Sequence, residues 1–169
     1  HFLAPNNNQE TAEVPISLEY SDEQSQDAIS RKNAILKQTQ SALDILEHHN
    51  PDKIVTLGGE CSVSVVPFTY LANKYPNDLA VVWIDAHPDI NVPGDQYKGY
   101  HAMAVTACMG IGDEEIMSIL PTKIDPSKIL IVGLSSWDKD AGQRLPKSGI
   151  NTLSPKEIKA EPTAVTHWL

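Results

Sequence analysis

The stretch Leu79-Ala80-Val81-Val82-Trp83-Ile84-Asp85-Ala86-His87-Pro88-Asp89-Ile90-Asn91 decides the fold. Its first half is a short apolar run of the kind found in a strand buried on both faces. Its second half is polar. A strand that ends this way delivers Asp85, His87 and Asp89 together at its carboxyl end, where open α/β sheets place their sites. The three residues alternate with residues that need not ligate, so in an extended turn their side chains can converge on one point. Hard, oxygen-rich ligands with one imidazole suit a divalent ion such as manganese better than a purely structural zinc. A strand-end carboxylate can bridge two cations. Two cations about 3.5–4 Å apart can share a hydroxide and make it a strong nucleophile at neutral pH. The competing reading is a surface turn with solvated acids and an incidental histidine; the strand ahead of the turn weighs against it.

Outward from this stretch, strand-like and helix-like segments alternate. Lys53-Ile54-Val55-Thr56-Leu57 is a short apolar run closed by Gly58-Gly59, read as a second strand and a sharp turn. Residues 62–74 are expected to be helical, with Pro67 near the first turn. Residues 14–20 read as a short strand, and Ser21-Asp22-Glu23-Gln24 fits a capping box. Behind it Ala28, Ile29, Lys32, Ile35, Leu36, Thr39, Ala42, Leu43 and Leu46 recur at helical spacing, with Lys32 and Thr39 as polar interruptions. This helix is expected to run to about His49, where Asn50-Pro51 stops it. Residues 102–108 and 113–120 look helical, residues 129–134 read as a buried strand, and Ser154-Pro155-Lys156-Glu157 opens a last helix. The alternation predicts a three-layer α/β/α arrangement around a mainly parallel sheet. Residues 1–13 read as a loop or arm on a single domain covering 1–169.

The composition narrows the function classes. With 169 residues, 41% hydrophobic and 21% charged, the chain has the makings of one ordinary soluble domain. A net charge of −9 argues against nucleic-acid binding, which needs clustered Lys and Arg. No apolar run is long enough to span a bilayer, and no signal peptide is visible. Cys61 and Cys108 are too few for a disulfide framework and suggest a reducing, cytoplasmic setting. The first residue is His1 rather than Met, so a missing N-terminal piece is expected.

Two further segments complete a pattern. Leu57-Gly58-Gly59-Glu60-Cys61-Ser62 ends the expected strand ahead of the first stretch, and Gly99-Tyr100-His101-Ala102-Met103-Ala104-Val105 sets a histidine just before a helix. Each alone is ordinary: a tight turn, and a loop histidine. In this order with Asp85-Ala86-His87-Pro88-Asp89-Ile90-Asn91, they resemble the ureohydrolase family of arginases, agmatinases and formiminoglutamases. That family carries Gly-Gly-Asp-His-Ser, then Asp-Ala-His-x-Asp-Ile-Asn, then a His-Gly-Met-Pro-like segment, then a later Asp-x-Asp. The middle match is complete and the outer two are partial.

The resemblance implies an arginase-like α/β fold and a hydrolase of a small guanidino or amidino substrate that releases urea or formamide. It implies that Asp85 bridges two Mn2+ ions, that His87 binds one and Asp89 the other, and that Cys61 stands where the family has a histidine ligand. His101 would be the proton shuttle to the leaving amine, and Asn91 would orient the substrate. The family mechanism is attack of a metal-bridging hydroxide on the guanidinium carbon. A resonance-stabilised guanidinium is a poor electrophile, so the nucleophile has to be strongly activated and held in place.

Two departures qualify the resemblance. Cys61 offers a thiol where manganese prefers oxygen or nitrogen; its plain alternative is a small residue packed beside a turn. The later Asp-x-Asp at a strand end is missing, and Asp138-Lys139-Asp140 is read as a solvated turn. The expectation is therefore a chain truncated before that motif and inactive alone, with an exposed sheet edge. Two other readings compete: an inactive binding or regulatory subunit on the same fold, and another metal hydrolase that reuses the strand-end ligands. The loop 92–100, with Asp95, Tyr97 and Lys98, is expected to face the substrate tail and suits either a carboxylate or a cation. A homo-oligomer is compatible with the family.

Overall fold

Strands β1 (Val81–Ile84), β2 (Ile129–Val132) and β3 (Asn151–Leu153) pair in that order, every pair parallel. The computed structural model describes residues 11–17 and 28–169. Parallel neighbours need long crossovers, and here helices supply them. α3 (Ala104–Cys108) and α4 (Glu114–Ile119) lie between β1 and β2, and α5 (Lys139–Arg144) lies between β2 and β3. α1 (Lys32–His49) and α2 (Val65–Lys74) precede the sheet; α6 (Pro155–Ala160) and α7 (Ala164–Trp168) follow it.

All four residues of β2 are buried, so helices and loops cover both faces of the sheet there. Val81 stands opposite Ile129 and Trp83 opposite Ile131. These four share the main core with Ile90, Met103, Ala104, Val105 and Ile116. Phe68 of α2 meets Trp83 edge to face at 5.9 Å. The second face of β1 is different: Ile84 is 81% exposed. Three parallel strands with helical crossovers bear out the expected α/β class.

The N-terminal helix begins later than its apolar spacing suggests. Arg31 takes a left-handed conformation (φ 59°), which breaks the helical path, and the Ser30 amide donates to the Lys98 carbonyl instead. Ile29 is buried all the same, from the bend ahead of the helix. Both polar interruptions have a use. Thr39 is buried, and Lys32 bridges to Asp113 at 2.9 Å and to Glu115, tying α1 to α4. Asp113 also caps α4 through the amides of Glu115 and Ile116. Asn50 ends α1 in the left-handed region, as its position before Pro51 suggests.

Two expected strands do not form. Residues 14–17 have no regular structure, and the rest of 14–20, with the capping box at Ser21, lies outside the described residues. Residues 53–57 are not a strand either. They find no ladder partner among the described residues, and Val55 and Leu57 are 91% and 76% exposed. A strand needs a neighbour, and β propensity alone does not supply one. The helix at Ser154 forms with its capping box complete, but α7 follows it. No helix among the described residues is long and apolar enough to cross a membrane.

The uneven cover of the sheet makes a measurable difference. Ile131→Ala, at a fully buried position, is expected to cost about 2–5 kcal/mol of unfolding free energy. Ile84→Ala is expected to cost less than about 1 kcal/mol. Urea unfolding of both variants beside the parent checks this, and equal losses would contradict the described cover of β1.

Candidate functional site

The site grows from the end of β1. Asp85 is the first residue past the strand, and its amide still donates to Val132 of β2 at 3.0 Å. The next carbonyl, Ala86, accepts from the amides of Ser135 and Ser136 at 3.0 and 2.9 Å. The chain leaving β2 therefore fastens the turn leaving β1. Further on, the Asp89 carbonyl accepts from Val105, and the Asn91 amide donates to Ala102. The Thr106 hydroxyl donates to the Asn91 carbonyl at 2.6 Å. These bonds seat residues 89–91 on the start of α3 and hold Asp89 at φ 48°, a conformation a side chain rarely adopts unaided.

Cys61 enters from the glycine turn after residues 53–57. A Cβ on Gly58 would stand 2.5 Å from Val63, so only glycine allows the chain to double back this closely. The turn brings Cys61 into the first residues of a short 3-10 segment, Cys61–Ser64, capped by Glu60. The ligand atoms of Cys61, Asp85 and Asp89 then lie within 4.8 Å of one another. The Cys61 thiol donates to Asp85 Oδ2 at 3.6 Å. The other oxygen, Oδ1, accepts the His87 amide at 2.8 Å and stands 3.6 Å from His87 Nδ1. Asp85 thus turns one oxygen to Cys61 and the other to His87. His87 itself is 61% exposed and lies outside the close cluster.

The electrostatics are those of a site short of positive charge. Burial pushes the Asp89 carboxyl up to about 6; the Asp85 charge adds to this, while the Cys61 hydrogen bond and the two histidines, His101 and His87, oppose it. Burial also pushes the Cys61 thiol up to about 12, helped by Asp89 and Asp85. Asp89 is 4% exposed, and its Oδ2 has no hydrogen-bond partner among the described residues. An orphaned carboxylate oxygen beside a second carboxylate and a thiol is the donor set a divalent cation satisfies, so these residues fit a metal.

The remaining predicted residues flank the cluster. His101 sits in the 3-10 turn Tyr100–Met103, and its Nε2 is 3.1 Å from Tyr97 Oη, with the rings edge-on at 5.4 Å. Asn91 is buried and donates through Nδ2 to Asp138 Oδ2 at 2.6 Å. Asp138 is exposed, as a solvated turn would have it, but Asp138 and Asp140 open helix α5 and bond across to residues 91 and 96. Asp138 caps α5 by accepting from Ala141, and Asp140 accepts from the Gln96 amide. Burial works to raise the Asp138 carboxyl, but the amides of Ala141 and Asp140 and the Asn91 side chain together hold it below the usual range. The available signal was an aspartate three residues ahead of Ala141 at a helix start. Asp95, expected to face a substrate tail, is instead paired with Arg144.

The family model described as the arginase family matches residues 6–167. The arginase of Bacillus subtilis (strain 168) is 31% identical over 107 residues, which cover 62% of this chain and 36% of that protein. The arginase of Entamoeba histolytica is 29% identical over 109 residues, 63% of this chain and 37% of that protein. The matched stretch thus spans little more than a third of these relatives. Among solved structures, Bacillus caldovelox arginase superposes with a TM-score of 0.76 at 23% identity, over 90% of this chain and 53% of that one. Bacillus subtilis arginase gives 0.74 at 22%, over 94% and 54%. At these identities the superpositions speak for the fold.

The raised Asp89 carboxyl has a stability consequence in metal-free protein. Its folded value lies above its ordinary 3.8, so the folded state keeps the proton longer, and stability is lost as pH rises through about 6. The loss reaches about 3 kcal/mol by pH 7.5. Asp89→Asn removes it and is expected to stabilise metal-free protein by up to that amount at pH 7.5. At pH 4.5 the gain should fall to about a third. Urea unfolding at the two pH values checks this; a gain that does not shrink at pH 4.5 would contradict it.

Proposed function

Because the chain belongs to the arginase family, we propose that the protein is a metal-dependent hydrolase of a linear guanidino or amidino compound. The observation that carries this reading is the meeting of Cys61, Asp85 and Asp89, with one Asp89 oxygen buried and unpartnered. In this reading Asp85, Asp89, His87 and Cys61 hold divalent ions, two Mn2+ when the site is full. Such ions supply Lewis acidity and make water acidic enough to be a nucleophile near neutral pH.

The chain's own groups do the rest. His101 passes a proton to the departing amine, with Nε2 engaged by Tyr97 Oη so that the ring keeps one orientation. Asn91 binds the substrate tail, and Asp138 behind it keeps the amide from rotating. Asp138 also sets a negative carboxylate beside the place of the tail, while Asp95 is neutralised by Arg144. That balance favours a tail carrying a cationic nitrogen, and so an arginine- or agmatine-type substrate with urea as product. The free thiols at Cys61 and Cys108 suit a reducing compartment, the cytoplasm in this reading.

A second reading has one observation in its favour. The Cys61 thiol, pushed up to about 12, surrenders its proton only to a strongly binding ion. A site that fails to load would leave a binding or regulatory subunit on the family fold.

Protein expressed from its full reading frame, purified and incubated with Mn2+, is expected to release urea from arginine or agmatine, with formiminoglutamate far slower. Asp85→Ala should lower the rate more than about 100-fold, since it removes a shared ligand. No bound metal and no urea from folded protein would leave the second reading standing. Cys61→His, which restores an imidazole, should tighten Mn2+ binding about tenfold or more. Calorimetric titration measures it, and an unchanged affinity would mean that residue 61 does not ligate the ion.

A further inference from the structure

We infer that Arg144, at the end of α5, is a positioning residue that fixes the peptide between Ile90 and Asn91 and through it the aim of Asp89 and Asn91. The inference rests on the functional reading of those two residues given above. Arg144 Nη1 donates to the Ile90 carbonyl at 2.7 Å. On the other side of the same peptide, the Asn91 amide donates to Ala102 at 2.8 Å. A peptide is planar, so gripping both its C=O and its N–H leaves it no freedom to rotate. That plane sets the backbone angles on which the side-chain directions of Ile90 and Asn91 depend, and through Ile90 it limits the movement of Asp89, whose own carbonyl accepts from Val105.

The guanidinium is itself held. Asp95 accepts from Nη1 and Nη2, both at 3.0 Å, in the two-pronged geometry that only arginine offers. Asp95 is fixed in turn: its amide donates to Val92, and its Oδ2 accepts from the Val92 amide at 2.8 Å. Val92-Pro93-Gly94-Asp95 is a tight turn, with Pro at the second position and Gly94 at φ 98° at the third, the pattern of a type II turn. The opposite end of α5 carries Asp138, which holds the Asn91 side chain. One short helix thus grips the Asn91 peptide with its last residue and the Asn91 amide group with its cap. A cavity of about 500 Å³ lies along Arg144 and Asp95.

The test compares the parent with Arg144→Gln, Arg144→Lys and Asp95→Asn, by amide hydrogen exchange and by calorimetric titration with Mn2+. In Arg144→Gln the Asn91 amide is expected to exchange at least about tenfold faster while the Ile131 amide keeps its rate. Mn2+ affinity should fall about 10–100-fold. Arg144→Lys should recover only part of both, because an ammonium cannot reproduce the fork. Asp95→Asn should shift both readouts in the same direction and serves if the Arg144 variants do not fold. An unchanged Asn91 exchange rate, or equal acceleration at Ile131, would overturn the inference and leave Arg144 a general stabiliser. A parent protein that takes up no Mn2+ would overturn the metal reading instead, while the exchange data still decide whether Arg144 fixes this peptide.

Discussion

A carboxylate taken out of water with one oxygen unpartnered is the constraint on which the rest of this structure turns. Asp89 sits at 4% exposure in a backbone conformation that costs energy for any residue but glycine. Neither condition persists unless the surroundings enforce it. The enforcement is distributed: Val105 on its carbonyl, Ala102 and Thr106 on the residue two positions later, Arg144 on the peptide between. β2 contributes by gripping the turn from the other side, through Val132, Ser135 and Ser136. The parallel pairing of β1 and β2 thus helps to hold the acidic turn in place, because it sets the chain leaving β2 beside the turn leaving β1.

The same reasoning explains which parts of the fold could be read from the sequence. β2 and α4 follow from local pattern, a continuous apolar run in one case and an aspartate cap ahead of two glutamates in the other. The grouping of Cys61 with Asp85 and Asp89 was legible because three motifs kept a fixed order. What escaped depended on partners distant in sequence. Residues 53–57 have the composition of a strand, but a ladder is a property of two segments. The start of α1 at Lys32 rather than near residue 22 turns on Ser30 bonding to Lys98. Asp138 and Arg144 act on Asn91 and Ile90 across 47 and 54 positions, and no periodicity announces such contacts.

The loop that follows the cluster shows how few of its charges are available to a ligand. Asp95 is spent on Arg144, the Gln96 amide donates to Asp140 of α5, and Tyr97 lies against His101. Charges that look like recognition elements in the sequence are largely internal scaffolding. Asp138 keeps both its charge and a position beside Asn91, although the sequence alone reads it as part of a solvated turn.

Cys61 carries a consequence for covalent chemistry. Only the thiolate of a cysteine is strongly nucleophilic, and a thiol held near 12 is ionised to roughly one part in 10⁵ at pH 7. Burial and the two neighbouring aspartates therefore shield this sulfur from electrophiles: alkylating agents and peroxide meet an almost inert group. The sulfur of this partly exposed cysteine is guarded first by burial and then by the charge of its neighbours, so its reactivity is tied in part to whatever neutralises them.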